Sequence, residues 1–202
     1  MKAIVFMGSP RINGNTHLLS WAWFEAFKEA GGQAEFVPLA QRKITPCLEC
    51  GGCDETGECI LEDDMTEIYT QLAEADTIVV ASPIFFYNIT SFTQALVERS
   101  QACWVGKYRL GRLLGSKGRT GIFLSLGATK GKRLFEGPQR TIRYFFDAID
   151  ATYVGGLFYR GIEARGAIKE HPRALTEVRA LAKAVAQGLP VESWPLINDP
   201  CP

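Results

Sequence analysis

Short apolar runs alternate with amphipathic stretches along most of the chain. Residues 2–7, Lys-Ala-Ile-Val-Phe-Met, are almost wholly apolar and stop at Gly8-Ser9-Pro10, which predicts a strand buried on both faces. From 16 to 30, Leu18, Leu19, Ala22, Trp23, Ala26 and Phe27 recur near a 3.6-residue period before Gly31-Gly32, so a helix follows. The same reading predicts strands at 34–38, 77–82, 120–126 and 152–159, and helices at 65–75, 91–103, 138–149 and 173–187. Asp63 or Asp64 is expected to cap the 65–75 helix. Residues 83–88 read as a loop, and 40–62, where no period is found, as an irregular cysteine-rich insertion. Strands alternating with helices imply an α/β fold, a five-stranded parallel sheet covered on both sides. It is expected as one domain over 1–187, followed by a tail, 188–202, whose four prolines suggest a course across the surface or loose order.

Composition narrows the partners. The 202 residues suit one domain. With 22 basic and 22 acidic side chains, no overall field draws the chain to a polyanion, so nucleic acid is not an expected partner. No apolar run reaches the length of a membrane span, and the N-terminal one is too short and too early broken for an export signal. A cytoplasmic protein without a membrane partner is the expectation. A local basic cluster, Lys130, Lys132, Arg133, Arg140 and Arg143, reads either as a solvated face or as a docking site for a phosphorylated ligand or an acidic protein.

Candidate chemistry begins directly after the first strand, with Gly8-Ser-Pro-Arg-Ile-Asn-Gly-Asn-Thr16 leading into a helix. Open α/β sheets bind ligands at this position. Free N–H groups and the positive end of the helix dipole, with Ser9, Thr16, the Asn15 amide and Arg11, would suit a phosphate. The alternative is a polar turn with helix caps. The loop lacks both the Gly-Lys-Ser/Thr ending of a P-loop and the Gly-x-Gly-x-x-Gly of a dinucleotide fold, which leaves a mononucleotide. This loop resembles the FMN phosphate loop of the NADPH-dependent FMN reductase family, whose fold is the flavodoxin-like three-layer α/β/α sandwich. The resemblance implies that Ser9, Arg11, Asn13, Asn15, Thr16 and His17 surround the FMN phosphate.

After the third strand, Ser82-Pro83-Ile84-Phe85-Phe86-Tyr87-Asn88-Ile89-Thr90 presents apolar and aromatic side chains that need a flat, apolar cover. A flavin ring would serve, held by backbone N–H groups; core or dimer contacts are the other reading. The loop resembles the family's second flavin loop, which makes Pro83 to Asn88 cofactor-binding residues. The following helix implies a homodimer or a dimer of dimers. Leu126-Gly127-Ala-Thr-Lys130-Gly131 resembles the third loop, where Gly127 and Gly131 permit close backbone approach and Lys130 would face the flavin or an incoming reductant.

Cys47, Cys50, Cys53 and Cys59 form Cys-x2-Cys-x2-Cys-x5-Cys, with Gly51 and Gly52 allowing a tight path. In a reducing compartment such a cluster reads as a metal site before a disulfide framework. An iron-sulfur cubane, a four-thiolate zinc site and a group of redox-active or structural thiols all remain open from spacing. Together with the flavin loops, these cysteines resemble the compact motif of the iron-sulfur flavoprotein branch, which implies a 4Fe-4S cluster exchanging electrons with FMN. Cys103 and Cys201 read as ordinary residues, and His17 and His171 do not suggest a histidine metal site. The expected activity is an FMN-dependent oxidoreductase supplied by NAD(P)H or by a ferredoxin or other redox protein. Its alternatives are an NAD(P)H-dependent FMN or quinone reductase without a cluster, and a non-enzymatic flavin- or metal-binding protein.

Overall fold

A computed structural model describes residues 1–196. Five parallel strands, β1 (Lys2–Met7), β2 (Gln33–Pro38), β3 (Thr77–Pro83), β4 (Arg119–Gly127) and β5 (Ala151–Arg160), pair in the order β2-β1-β3-β4-β5. That order is the flavodoxin-like one, in which the chain leaves β1 first to one side and then to the other. The helices are α1 (Asn15–Glu29), α2 (Met65–Glu74), α3 (Ser91–Arg99), α4 (Gln101–Tyr108), α5 (Glu136–Ala148) and α6 (Ala174–Ala186).

Successive strand residues face opposite ways, so each strand feeds two cores. Ala3, Val5, Val79, Ala81, Ile122, Leu124 and Leu157 pack under α1 and α6, around Trp23 and Phe27. Ile4, Phe6, Ile78, Val80 and Phe123 pack under α2, α3 and α5, around Leu72, Leu96 and Phe146. The result is the three-layer α/β/α sandwich expected from the sequence, with strand and helix ends displaced by at most two residues except in the 91–108 region, where the second helix runs on to Tyr108.

One local expectation needs correction and two are made specific. The helix expected over 91–103 is two helices, because the chain turns at Ser100, whose hydroxyl bonds the Val97 carbonyl. Of the two expected caps of α2 it is Asp63 that serves, accepting from the Met65 N–H at 2.9 Å, while the Asp64 side chain makes no cap bond there. The early part of the 188–202 tail is anchored, since Trp194 is buried against the α1/α6 core and donates to the Leu189 carbonyl at 2.9 Å. Cys201 lies outside the described residues. Among the described residues no helix is long and apolar enough to cross a membrane.

At the N-terminal edge of the sheet, Arg119 is buried and donates to the carbonyls of Ala75 at 2.9 Å, Ile149 at 2.7 Å and Leu72. These carbonyls end α2 and α5, where helix dipoles concentrate negative charge, so one guanidinium caps two helices. Arg119→Met would strand buried acceptors, each of which costs about 1–3 kcal/mol when unpaired. We expect a loss of about 3 kcal/mol in urea unfolding, seen as a lower midpoint at an unchanged slope.

Candidate functional site

β1 and β3 are paired neighbours whose following connections leave to opposite sides of the sheet, which opens a crevice beyond their C-terminal ends where the loops after β1, β3 and β4 meet. Gly14, extended at ψ 173°, starts α1 without a side-chain cap, and no acidic residue stands in the helix's first turn. The N–H groups of Asn15, Thr16 and His17, which have no intrahelical acceptor, therefore offer an uncompensated positive end. Ser9 Oγ accepts the Arg11 N–H at 3.2 Å, and the Gly14 N–H bonds the Arg11 carbonyl at 3.0 Å. This coils the loop, with Asn13 at its tip in the left-handed region (φ 58°).

A buried threonine ties this loop to the next. Thr90 Oγ1 donates to the Gly8 carbonyl at 2.6 Å and lies 3.0 Å from Thr93 Oγ1, while the Gly8 N–H bonds Ala81 at 2.7 Å. A Cβ on Gly8 would fall 1.9 Å from Thr93 Oγ1, so the close approach requires glycine.

The β3 loop is a tight two-residue turn. Phe85 and Asn88 exchange N–H to carbonyl bonds of 2.8 and 2.9 Å, and Phe86 and Tyr87 at its tip have φ of 50° and 61°. Bulky residues rarely hold such angles, and strain of this kind gathers at ligand sites. Phe86 is fully exposed, and Phe85 and Tyr87 are largely so. The turn leaves the N–H groups of Phe86 and Tyr87 without a partner among the described residues. Gly131 sits under the Tyr87 hydroxyl, 2.5 Å from where a Cβ would stand, and the Lys130 chain crosses Gly161.

These loops wall a cavity of about 270 Å³ that brings together Ser9, Arg11, Asn15, Thr16, Pro83, Ile84, Phe85 and Gly127. It also includes Ile162, Glu163 and Arg165, which sequence reasoning missed. Their one available signal was position, since Arg160-Gly-Ile-Glu-Ala-Arg165 follows a strand at the same sheet edge. This fourth loop is latched to the first. The Asn15 amide donates to the Ala164 carbonyl at 2.8 Å and accepts from the Ile168 N–H at 3.2 Å, and Arg165 donates to the Ile12 carbonyl at 2.6 Å. The Asn15 side chain, expected to donate to an anion, bonds a neighbouring loop through both its oxygen and its nitrogen, and the residue's first-turn N–H remains without an intrahelical acceptor. The His17 ring stacks on Trp21 at 5.8 Å and meets Phe36 edge-on, and it is not among the residues lining the cavity, so what His17 offers there is its first-turn N–H. Burial holds that imidazole below its usual pKa.

Cys47, Cys50, Cys53 and Cys59 all line a second cavity, of about 680 Å³, at the far end of α3. Glu49 (φ 50°) and Gly51 (φ 71°) curl the chain between them, and burial pushes the Cys53 thiol up, with Cys59 and Cys47 adding to it. Among the described residues, no three His, Cys, Asp or Glu side chains are grouped as one metal ion would require. The thiols thus face a shared space without converging on a point. Cys103 is buried on α4 outside this cavity, its thiol raised to about 12 by burial. The two cavities lie at opposite ends of α3, whose nine residues span roughly 13 Å at the helical rise.

Comparison with known proteins agrees with this geometry. The model of the NADPH-dependent FMN reductase family matches residues 1–157. An iron-sulfur flavoprotein of Methanocaldococcus jannaschii is 32% identical over 198 residues, covering 93% of this chain and 96% of the relative. An iron-sulfur flavoprotein of Methanosarcina thermophila is 31% identical over 147 residues, 73% of this chain and 72% of that one. The solved structure of a flavodoxin from the domain Archaea superposes with a TM-score of 0.56 at 16% identity, covering 95% of this chain and 99% of the other.

Two outcomes follow from the hydrogen bonds. Thr90→Val frees the Gly8 carbonyl and loosens the two loops; we expect FMN affinity, read by flavin fluorescence titration, to fall about tenfold, the equivalent of ~1.4 kcal/mol. Burial alone would raise the Asp63 carboxyl, but hydrogen bonds from Arg99 and from the Thr45 and Met65 N–H groups outweigh it and hold the group below its ordinary value. Its contribution to folding is therefore complete above the unfolded value of about 4 and declines as pH falls through that value toward the folded one. The stability excess of the native chain over Asp63→Asn, from urea midpoints, should be full at about pH 6 to 7 and shrink below about pH 4.

Proposed function

The chain belongs to the NADPH-dependent FMN reductase family, in its iron-sulfur flavoprotein branch, and from that we propose that it passes electrons between FMN in the β1/β3 crevice and a 4Fe-4S cluster on Cys47, Cys50, Cys53 and Cys59. The family makes it an FMN-dependent oxidoreductase. The observation that carries the finer reading is the shared wall of four thiols. A single zinc needs four sulfurs about 2.3 Å from one point, whereas a cubane takes each cysteine on a separate iron corner. Thiols spread around a roomy cavity suit the second.

When bound, FMN supplies one- and two-electron exchange and a cluster supplies one-electron storage. The chain's own groups bind and orient. The first-turn N–H groups of α1, with Ser9 and Arg11, would take the phosphate. The N–H groups of Phe86 and Tyr87, left over by the turn, would donate to polar atoms of the ring, and Ile84 and Phe85 would cover its apolar face. The strained turn fixes those donors before the ligand arrives, so less ordering remains to be done on binding. Arg165 lines the cavity and Lys130 packs over Gly161 in the adjoining loop, cations that either a pyridine nucleotide or an acidic redox protein would meet.

The test is an absorption spectrum of protein purified without oxygen, with iron and acid-labile sulfide analysis. Flavin bands with about four irons per chain are expected. Flavin without iron would overturn the cluster and favour an NAD(P)H-dependent flavin or quinone reductase. Rapid anaerobic NADPH oxidation with no carrier protein would also count against electron exchange through a cluster.

A further inference from the structure

From Arg42 to Asp64 the chain forms neither strand nor helix, so the shape of the thiol-bearing loop depends on side chains that reach it from elsewhere. Two do so at its tip, on exposed surface: Arg109 meets Asp54 at 2.8 Å, and Arg112 donates to the Thr56 carbonyl at 2.6 Å. The third is of another kind. Arg99, the last residue of α3, is 1% exposed. Its Nη1 donates to the Thr45 carbonyl at 2.9 Å and to Asp63 Oδ2 at 2.6 Å, and its Nη2 donates to the Leu61 carbonyl at 3.2 Å. Thr45 stands two residues before Cys47 and Leu61 two after Cys59, so one guanidinium draws together both ends of the segment that carries all four thiols. Asp63 closes the same neck from its own side by accepting the Thr45 N–H at 2.9 Å.

One donor is left over. Arg99 Nε is buried and has no partner among the described residues, and Arg99 lines the thiol cavity, while Asp63 is absent from its walls. A buried N–H without an acceptor is costly; Glu49, Asp54 and Glu98 also line the cavity, but among the described residues none of them bonds Arg99, whose one carboxylate partner, Asp63, lies off it, and a buried cation calls for a facing counter-charge. An anionic occupant of the cavity answers both requirements.

We propose that Arg99 is the positioning residue of the cysteine cavity: it holds the neck of the 45–61 loop closed and sets a fixed positive charge beside a metal-thiolate occupant. The inference rests on the cluster reading above. Thiolate-bound clusters tune their potentials through net charge and nearby donors. A cation at the wall stabilises the more negative, reduced state and so raises the midpoint potential. Lysine at this position keeps the charge but cannot bridge Thr45, Leu61 and Asp63 as a planar fork does, which separates the two roles.

The experiment compares native protein with Arg99→Lys and Arg99→Met, all purified anaerobically with FMN content as the check of folding. Iron content of the native protein decides the cluster reading by itself. In loaded protein, the midpoint potential is read by reductive titration with electron paramagnetic resonance; Arg99→Met should shift it negative and Arg99→Lys should leave it near the native value. In metal-free, FMN-loaded protein, reaction of the thiols with a disulfide reagent tests the neck, and both variants should react faster, by about tenfold. Native potential and native thiol rates in both variants would overturn the proposal. If the native protein holds no iron, the cluster reading and the electrostatic role fail together, and the thiol rates alone decide whether Arg99 closes the neck. Should Arg99→Met not retain FMN, Arg99→Lys still decides the neck through its thiol rates, and a lowered potential in it would overturn the charge assignment.

Discussion

Parallel pairing is the constraint on which the rest of this structure depends. Five strands that run the same way deliver every strand-to-helix loop to one edge of the sheet, and the reversal of direction at β1 leaves the loops after β1 and β3 no helix to separate them. The crevice is therefore a product of topology before any side chain is chosen. The side chains then make it rigid. Thr90 bonds the first loop to the third strand's loop, and Asn15 bonds it to the loop after β5. A ligand at the α1 N-terminus meets three segments that are already tied to one another.

Buried arginines serve the parts of the fold that the sheet cannot order. Arg119 at one edge satisfies the terminal carbonyls of α2 and α5, and Arg99 on α3 satisfies carbonyls at both ends of the cysteine segment. Burying a guanidinium carries a large desolvation cost, and it persists where several acceptors converge that no water reaches. Arginine suits both places because its planar fork reaches acceptors in different directions at once. The same residue type thus closes helix ends in one place and a loop without secondary structure in the other.

The turn at Phe85–Asn88 reverses the usual economy of a hairpin. Such turns ordinarily place glycine or asparagine where φ is positive, yet this one has Phe86 and Tyr87 there, exposed and strained. Stability alone would select against that arrangement. Its product is a pair of N–H groups without a partner among the described residues and an exposed aromatic tip beside Phe85 of the cavity wall, so local strain is exchanged for a preformed surface.

Periodicity alone located the five strands and, apart from the break at Ser100 and the extension of α4 to Tyr108, the α-helices of the described residues to within two residues, because buried parallel strands are unbroken apolar runs and their covering helices keep a 3.6-residue stripe. The phosphate loop and the four cysteines were also legible, since each is a contiguous segment whose chemistry is local. Tertiary structure decided whatever depends on residues distant in sequence. It turned His17 toward Phe36 and Trp21, gave the Asn15 amide to Ala164 and Ile168, brought Ile162, Glu163 and Arg165 to the crevice, and put Arg99 against the neck of the cysteine loop. A sequence states which groups can donate or accept, but the partner of each is fixed only when chain segments far apart, 149 residues in the case of Asn15 and Ala164, are packed within hydrogen-bonding reach.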